Sequence, residues 1–177
     1  ALVIGASAGI GRAVAHVLAA EGVRVVIAAR NLEKLTLVRD EIAATGAEAP
    51  AMVTGDLSTA EGVAVVAQSA SAQYGGIDIL VNNAGASRPM PKDADDAFWE
   101  EAFALNFSSA RRMTEALLPG MRKAGWGRVV NISGALVQRA VNAATPAKVA
   151  LVSWSRSLAP EVATDGVTVN CVPPGRI

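Results

Sequence analysis

Ala1-Leu-Val-Ile-Gly5-Ala-Ser-Ala-Gly9-Ile-Gly11-Arg12 opens the chain, and its reading decides the fold. Four apolar or small residues run into three glycines spaced G-x-x-x-G-x-G, and an alanine-rich apolar stretch follows from Val14 to Ala20. This pattern predicts a buried strand, a tight turn, and a helix whose first turn points back at that turn. Glycine suits the turn because, without a Cβ, the chain takes φ > 0, a phosphate can approach the backbone, and the helix packs close to the strand. The free N–H groups and positive dipole end of the helix then face a diphosphate. A strand-to-helix turn that binds nothing would carry similar glycines, so the rest of the chain must decide.

Working outward, apolar runs alternate with helical patterns. Val23–Ala29 reads as a second buried strand, and Asn31–Thr45 as a helix stopped by Gly46. Ala51–Thr54 is a third strand, ending at Gly55-Asp56, and a helix from Thr59 to Tyr74 stops at Gly75-Gly76. Ile77–Val81 is strand four, Ala86–Asp96 a polar loop with two prolines, and Ala97–Lys123 a long helical zone. Trp126–Ile132 holds strand five, Ala147–Ala163 is helical, and Val167–Cys171 is strand six. The alternation predicts an α/β fold: a doubly wound, mainly parallel Rossmann-type sheet with helices on both faces. Ligands of such sheets bind beyond the carboxyl ends of the strands, so the turns after each strand are the places to look. Those turns carry the glycines, Arg30, Asp56, Asn82-Asn-Ala-Gly85, Ser133-Gly134 and Pro173-Pro-Gly175.

The 177 residues suffice for one domain with a full core, and the chain is 51% hydrophobic. Sixteen basic and sixteen acidic residues cancel, so no global field favours nucleic acid or an anionic membrane, and neither partner is expected. No apolar run approaches the roughly 18 residues of a membrane span. The apolar start is too short, and lacks the basic leader, for a signal peptide. The single cysteine, Cys171, excludes an internal disulfide and fits a reducing, cytoplasmic compartment. With a single histidine, His16, a His/Cys zinc site is not expected. The chain opens in its first strand and stops at a turn, which reads as a single dinucleotide-binding domain, 1–177, truncated at its C-terminus.

The ordered set of glycine turn, Asp56-Leu57, Asn82-Asn-Ala-Gly85, and Asn170 followed by Pro174-Gly175 resembles the short-chain dehydrogenase/reductase family over essentially the whole chain. The 3-oxoacyl-ACP reductase-like members are the nearest in kind. The resemblance implies a nicotinamide cofactor and a small carbonyl or alcohol substrate, in a homodimer or homotetramer. Gly5, Ser7, Gly9, Ile10 and Gly11 would cradle the cofactor. Asp56 and Leu57 would meet the adenine, Asn83, Ala84 and Gly85 would lie under the adenine ribose, and Pro174 and Gly175 would be further cofactor contacts. Strand two ends Ala28-Ala29-Arg30-Asn31 without the acid that accepts ribose hydroxyls in NAD enzymes. Arg30, flanked by Asn31, suits a 2′-phosphate, so NADP(H) is favoured over NAD. Arg12 is a second candidate phosphate contact.

At the catalytic end the resemblance is incomplete. The family places a Tyr and a Lys four apart on one helix, a Ser beyond strand five, and an Asn on the preceding long helix. Lys148, Ser133 and Asn106 carry over, with Lys148 also counted as a cofactor contact. The Tyr does not, because four residues before Lys148 stands Ala144. Tyr74, the one tyrosine, precedes strand four at the wrong end of the sheet. Thr145-Pro146 reads as an N-cap and first helical residue, which would start the helix at Pro146 and leave Ala144 outside it. Gln138, Arg139 and Asn142 follow strand five, where they read first as exposed loop polarity and second as substrate contacts. Three functions compete: an NADPH-dependent reductase or dehydrogenase with an altered acid, a dinucleotide-binding sensor with little redox activity, and a non-redox relative such as a lyase or dehalogenase.

Overall fold

The computed structural model describes residues 1–134 and 141–174. Six parallel strands lie in the order β3-β2-β1-β4-β5-β6. They are β1 (Leu2–Ile4), β2 (Val26–Ala29), β3 (Ala51–Thr54), β4 (Ile79–Asn82), β5 (Gly127–Ile132) and β6 (Val167–Val172). The helices are α1 (Gly9–Ala20), α2 (Leu32–Ala44), α3 (Ala60–Tyr74), α4 (Asp96–Phe103), α5 (Ser109–Ala124) and α6 (Ala144–Ala163). This is the doubly wound, three-layer α/β architecture expected. The strand order reverses between β1 and β4, which opens a crevice beyond their carboxyl ends.

Alternation along β1 divides the core. Leu2 and Ile4 join Leu80, Met113, Leu117 and Val129 on the face covered by α3 and α5. Val3 faces the other way, with Ile27, Leu35, Val38, Ile42 and Ala15 under α1 and α2. Period-two strands buried on both sides read as the continuous apolar runs seen in the sequence. Local capping sets the helix ends: Asn31 accepts from Lys34 N, Thr59 from Gly62 N, and Asp95 from Phe98 N. Among the described residues, no helix is long and apolar enough to cross a membrane.

The structure departs from the sequence reading in three places. Strands two and four begin at Val26 and Ile79, later than Val23 and Ile77; the residues just before them make only single flanking bonds, Val25 O accepting from Ala51 N and Asp78 O from Arg128 N. The long helical zone is split by a π-helical turn, Ala104–Ser108, between α4 and α5. The last helix starts at Ala144, not at Pro146. Thr145 is not the cap; Asn142 Oδ1 accepts from both Thr145 N and Thr145 Oγ1. Pro146 therefore falls inside the first turn, where the amide it lacks would have had no helical acceptor.

Candidate active site

The glycine turn forms the floor of a cleft of about 480 Å³ that reaches from Ser7 and Gly9 across Arg30 and Asp56 to Gly85. Gly9 has φ +55° with nothing near the place a Cβ would take, so backbone conformation selects it and the space above stays open. Gly11 is selected by contact: a Cβ there would collide with Gly5 O and lie 2.5 Å from Asn83 Nδ2. Asn83 donates to Gly5 O at 3.0 Å, which ties the end of β4 to the turn after β1. Helix α1 starts without a capping side chain and without an acid in its first turn, so its N–H end is unneutralised.

Around this floor the structure gathers Gly5, Ser7, Gly9, Ile10, Arg30, Asn31, Asp56, Leu57, Asn83, Ala84 and Gly85. Asp56 Oδ1 accepts from Ser58 N at 3.0 Å and from Ser58 Oγ at 2.8 Å. These bonds hold its carboxyl below the usual carboxylate range. The Asn31 oxygen is committed to capping α2. Arg12 is drawn away from the cleft, its Nε and Nη2 gripping Glu41 at 2.8 and 2.7 Å, so it is not placed as a phosphate contact. Gly175, Gln138 and Arg139 lie outside the described residues.

A second cleft, about 230 Å³, continues past Gly85 to Asn106, Ser133, Ala144, Lys148 and Pro174. Lys148 Nζ donates to Ile132 O, the last carbonyl of β5, at 2.8 Å. Burial lowers its pKa from the usual 10.5 to about 8, with Cys171 partly opposing the fall. Ser133 is buried, and its Oγ has no hydrogen-bond partner among the described residues. Ala144 and Lys148 stand four apart on one helix and so share a face. Tyr74 ends α3 at the amino ends of the strands, away from this cleft, near Glu48 and under Arg24.

Asn106 sits in the π turn, a form that often marks functional positions. Its amide is fully used: Oδ1 accepts from Ala86 N at 3.2 Å, while Nδ2 donates to Ala86 O at 3.0 Å and Ala102 O at 2.9 Å. Asn106 thereby fixes the loop after β4. A Cβ on Gly85 would lie 2.8 Å from Asn106 Oδ1 and 3.1 Å from Lys148 Nζ, so only a glycine lets these three groups meet.

Sequence reasoning missed a buried polar chain beneath this cleft. Asn82 Nδ2 donates to Asn131 Oδ1 at 2.7 Å and to Thr114 Oγ1 at 3.0 Å, and Asn131 Nδ2 donates to Ser155 Oγ at 2.8 Å. All four residues are at most 1% exposed. The chain links β4, β5, α5 and α6 immediately below Asn83, Ile132 and Lys148. A signal existed: asparagines at the ends of two otherwise apolar strands need buried partners, and Asn82 and Asn131 are opposed in register. Among the described residues, no group of three or more His, Cys, Asp or Glu side chains is placed to hold a metal ion.

A doubly wound sheet with a glycine turn at its switch point, and a buried lysine and serine at the next cleft, defines a dinucleotide-binding oxidoreductase class. The chain belongs to the short-chain dehydrogenase family, whose family model, described as short chain dehydrogenase, matches residues 1–177. It is 38% identical over 182 residues to the 3-oxoacyl-[acyl-carrier-protein] reductase FabG of Escherichia coli (strain K12), spanning 100% of this chain and 72% of that protein. Among solved structures, a metagenomic short-chain oxidoreductase in complex with NADP is 36% identical with a TM-score of 0.93, covering 99% of this chain and 81% of its own. The L-sorbose reductase of Gluconobacter frateurii, complexed with NADPH and L-sorbose, is 35% identical with a TM-score of 0.92, covering 98% and 68%.

Proposed function

We propose that the chain binds NADP(H) across the carboxyl ends of β1, β2 and β4 and transfers hydride between it and a carbonyl or alcohol substrate. The observation that carries this reading is the continuity of an open, glycine-floored cleft with a second one holding a buried ammonium, Lys148, and a buried hydroxyl, Ser133, that has no partner among the described residues. The residues fit a dinucleotide. The uncapped, acid-free start of α1 suits a diphosphate, and Gly11 keeps the helix close enough to present it. Gly5, Ser7, Gly9 and Ile10 would hold the diphosphate, Asp56 and Leu57 the adenine, and Ala84 and Gly85 the ribose, with Asn83 bracing the turn. Arg30, in a cleft that also holds Lys34 and has no acid at the end of β2, would hold the 2′-phosphate. NADP-bound and NADPH-bound structural relatives support this choice.

When bound, the cofactor supplies hydride. The chain's own groups do the rest. The Ser133 hydroxyl donates to the carbonyl oxygen, and the Lys148 ammonium stabilises the oxyanion as it forms. Where the resemblance puts a phenol, Ala144 offers a methyl group, so the proton passes from Lys148 to the substrate oxygen through water. Asn106 holds the Ala86 backbone and with it the wall of the cleft. An amine titrating near 8 can give up a proton at neutral pH more readily than one at 10.5.

The test is cofactor choice. Replacing Arg30 with Glu should weaken NADPH about 10- to 100-fold, the worth of a charge-assisted hydrogen bond, and leave NADH within a few-fold, read by fluorescence titration. Uptake of neither nucleotide by the folded wild-type protein would overturn the reading. The methyl group of Ala144 favours a second reading, an NADP(H)-binding sensor with little redox activity. Single-turnover mixing of bound NADPH with a panel of carbonyl compounds separates the two.

A further inference from the structure

We propose that the space between Ala144 and Lys148 binds a phenolic hydroxyl carried by the ligand, which hands its proton to the substrate oxygen in place of the water relayed from Lys148. This inference rests on the reductase reading above and narrows its substrate class to hydroxyaryl carbonyl compounds, or to carbonyl compounds reduced with a phenol alongside.

Four observations lead there. Among the described residues lining the Lys148 cleft, Lys148 alone has a charged side chain. Its ammonium has three N–H donors, of which one is placed among the described residues, on Ile132 O. A buried ammonium with donors to spare calls for an oxygen of negative or acidic character. The Ser133 Oγ in the same cleft is buried without a partner among the described residues.

The third observation is the wall. A further cleft of about 230 Å³ lies between α4 and the loop after β4 and opens toward Arg30 and Ser58 beside the nucleotide cleft; it shares Ala86, Asn106 and Ala144 with the Lys148 cleft. The Asn106 amide is already committed, so the side chains facing a ligand at this partition are methyl groups. The fourth is what stands beyond it: Phe98, Ala102 and Leu105 contribute apolar side chains to the lining, and Arg88, paired with Glu101, lies 5.7 Å from the Phe98 ring centroid. An arene fits that surface.

The choice of phenol follows from acidity. A carboxylic acid would be held by the ammonium but would carry no proton at neutral pH, whereas a phenol keeps its proton and is made more acidic by the adjacent cation. The step balances. The carbonyl carbon gains hydride from the nicotinamide cofactor of the proposed reaction, which is oxidised. The C=O π pair becomes an alkoxide lone pair. The phenol O–H bond breaks as the alkoxide O–H bond forms, and the phenolate, paired with Lys148, is reprotonated from the ammonium and then from water.

The first experiment needs no turnover. The folded wild-type protein is titrated with 4-nitrophenol, whose ionised form is coloured. The expected result is saturable binding with a shift toward the phenolate spectrum, weakened about tenfold or more in Lys148→Met, the worth of a hydrogen bond to a charged group, and likewise in Ala144→Leu, which fills the space. Equal spectra for wild type and Lys148→Met, or undiminished binding by Ala144→Leu, would overturn the proposal. The second compares NADPH oxidation by benzaldehyde, with and without added phenol, and by 2-hydroxybenzaldehyde. A gain of about 10²-fold from either source of hydroxyl is expected for a general acid. Reduction of benzaldehyde at the same rate with and without phenol would sink this inference and leave the reductase standing. Nitrophenol binding with no reduction of any carbonyl would instead bring down the reductase reading and the donor role together.

Discussion

The contact between Asn131 and Ser155 offers a quantitative test of how the site is held. Asn131 is completely buried, and its Nδ2 donates to Ser155 Oγ at 2.8 Å, while Ser155 Oγ donates in turn to Leu151 O at 2.7 Å. Ser155→Ala removes the acceptor and leaves a buried amide N–H without a partner, which should cost about 2 kcal/mol. Asn131→Ala removes the amide altogether. Asn82 keeps Thr114 as a partner and Ser155 keeps Leu151, so no donor is orphaned. The loss is then two net hydrogen bonds and a small cavity, also about 2 kcal/mol. In the double variant the orphaned donor disappears, so the total should be about 3 kcal/mol, a coupling of about 1 kcal/mol. Urea denaturation of the four proteins measures this, since a slope of about 1–3 kcal/mol per molar resolves such differences in midpoint. Additivity of the two single losses to within about 0.3 kcal/mol would refute the claim that this bond couples β5 to α6.

Two further outcomes follow from the same structure. Lys148 has a lowered folded-state pKa of about 8 against 10.5, so between those values the unfolded chain binds more protons, and stability should rise as pH climbs from about 8 to 10.5. Lys148→Met should be more stable than wild type at pH 7 and lack that rise, as read by urea midpoints across pH; an unchanged profile would contradict the burial of a charged amine. Gly11→Ala should cost about 1–3 kcal/mol by overpacking against Gly5 O and Asn83, and should weaken nucleotide binding more than Gly22→Ala, whose site is open, in paired thermal and fluorescence titrations.

Much of this molecule was legible from local chemistry. The glycine turn and the alternation of apolar runs with helices each depend on residues within a few positions, and the structure has both, with strands two and four starting two or three residues later than the apolar runs. The long-range features were not. At the start of α6 the oxygen that accepts from Thr145 N belongs to Asn142, one residue before the N-cap Ala143, a contact that the better-known signals of Thr145 and Pro146 obscured. The π turn at Asn106 follows from that residue's bonds to Ala86, 20 positions away, which no periodicity encodes. Arg12 looked available for a phosphate until Glu41, 29 positions on, took its guanidinium. The asparagines of β4 and β5 were visible as letters, but their union required knowing that the two strands are neighbours.

The π turn also acts as a frame shift. It adds one residue to what would otherwise be a single rod, so everything upstream is rotated by about 100° relative to everything downstream. Downstream, α5 presses Met113, Leu117 and Met121 into the core, while α4 has no buried residue at all. Removing one residue between Ala104 and Ser108 would straighten the rod and swing Phe98 and Glu101 to a new azimuth, carrying the wall of the outer cleft with them. Length variation at this point is therefore a lever on cavity shape that leaves the sheet untouched.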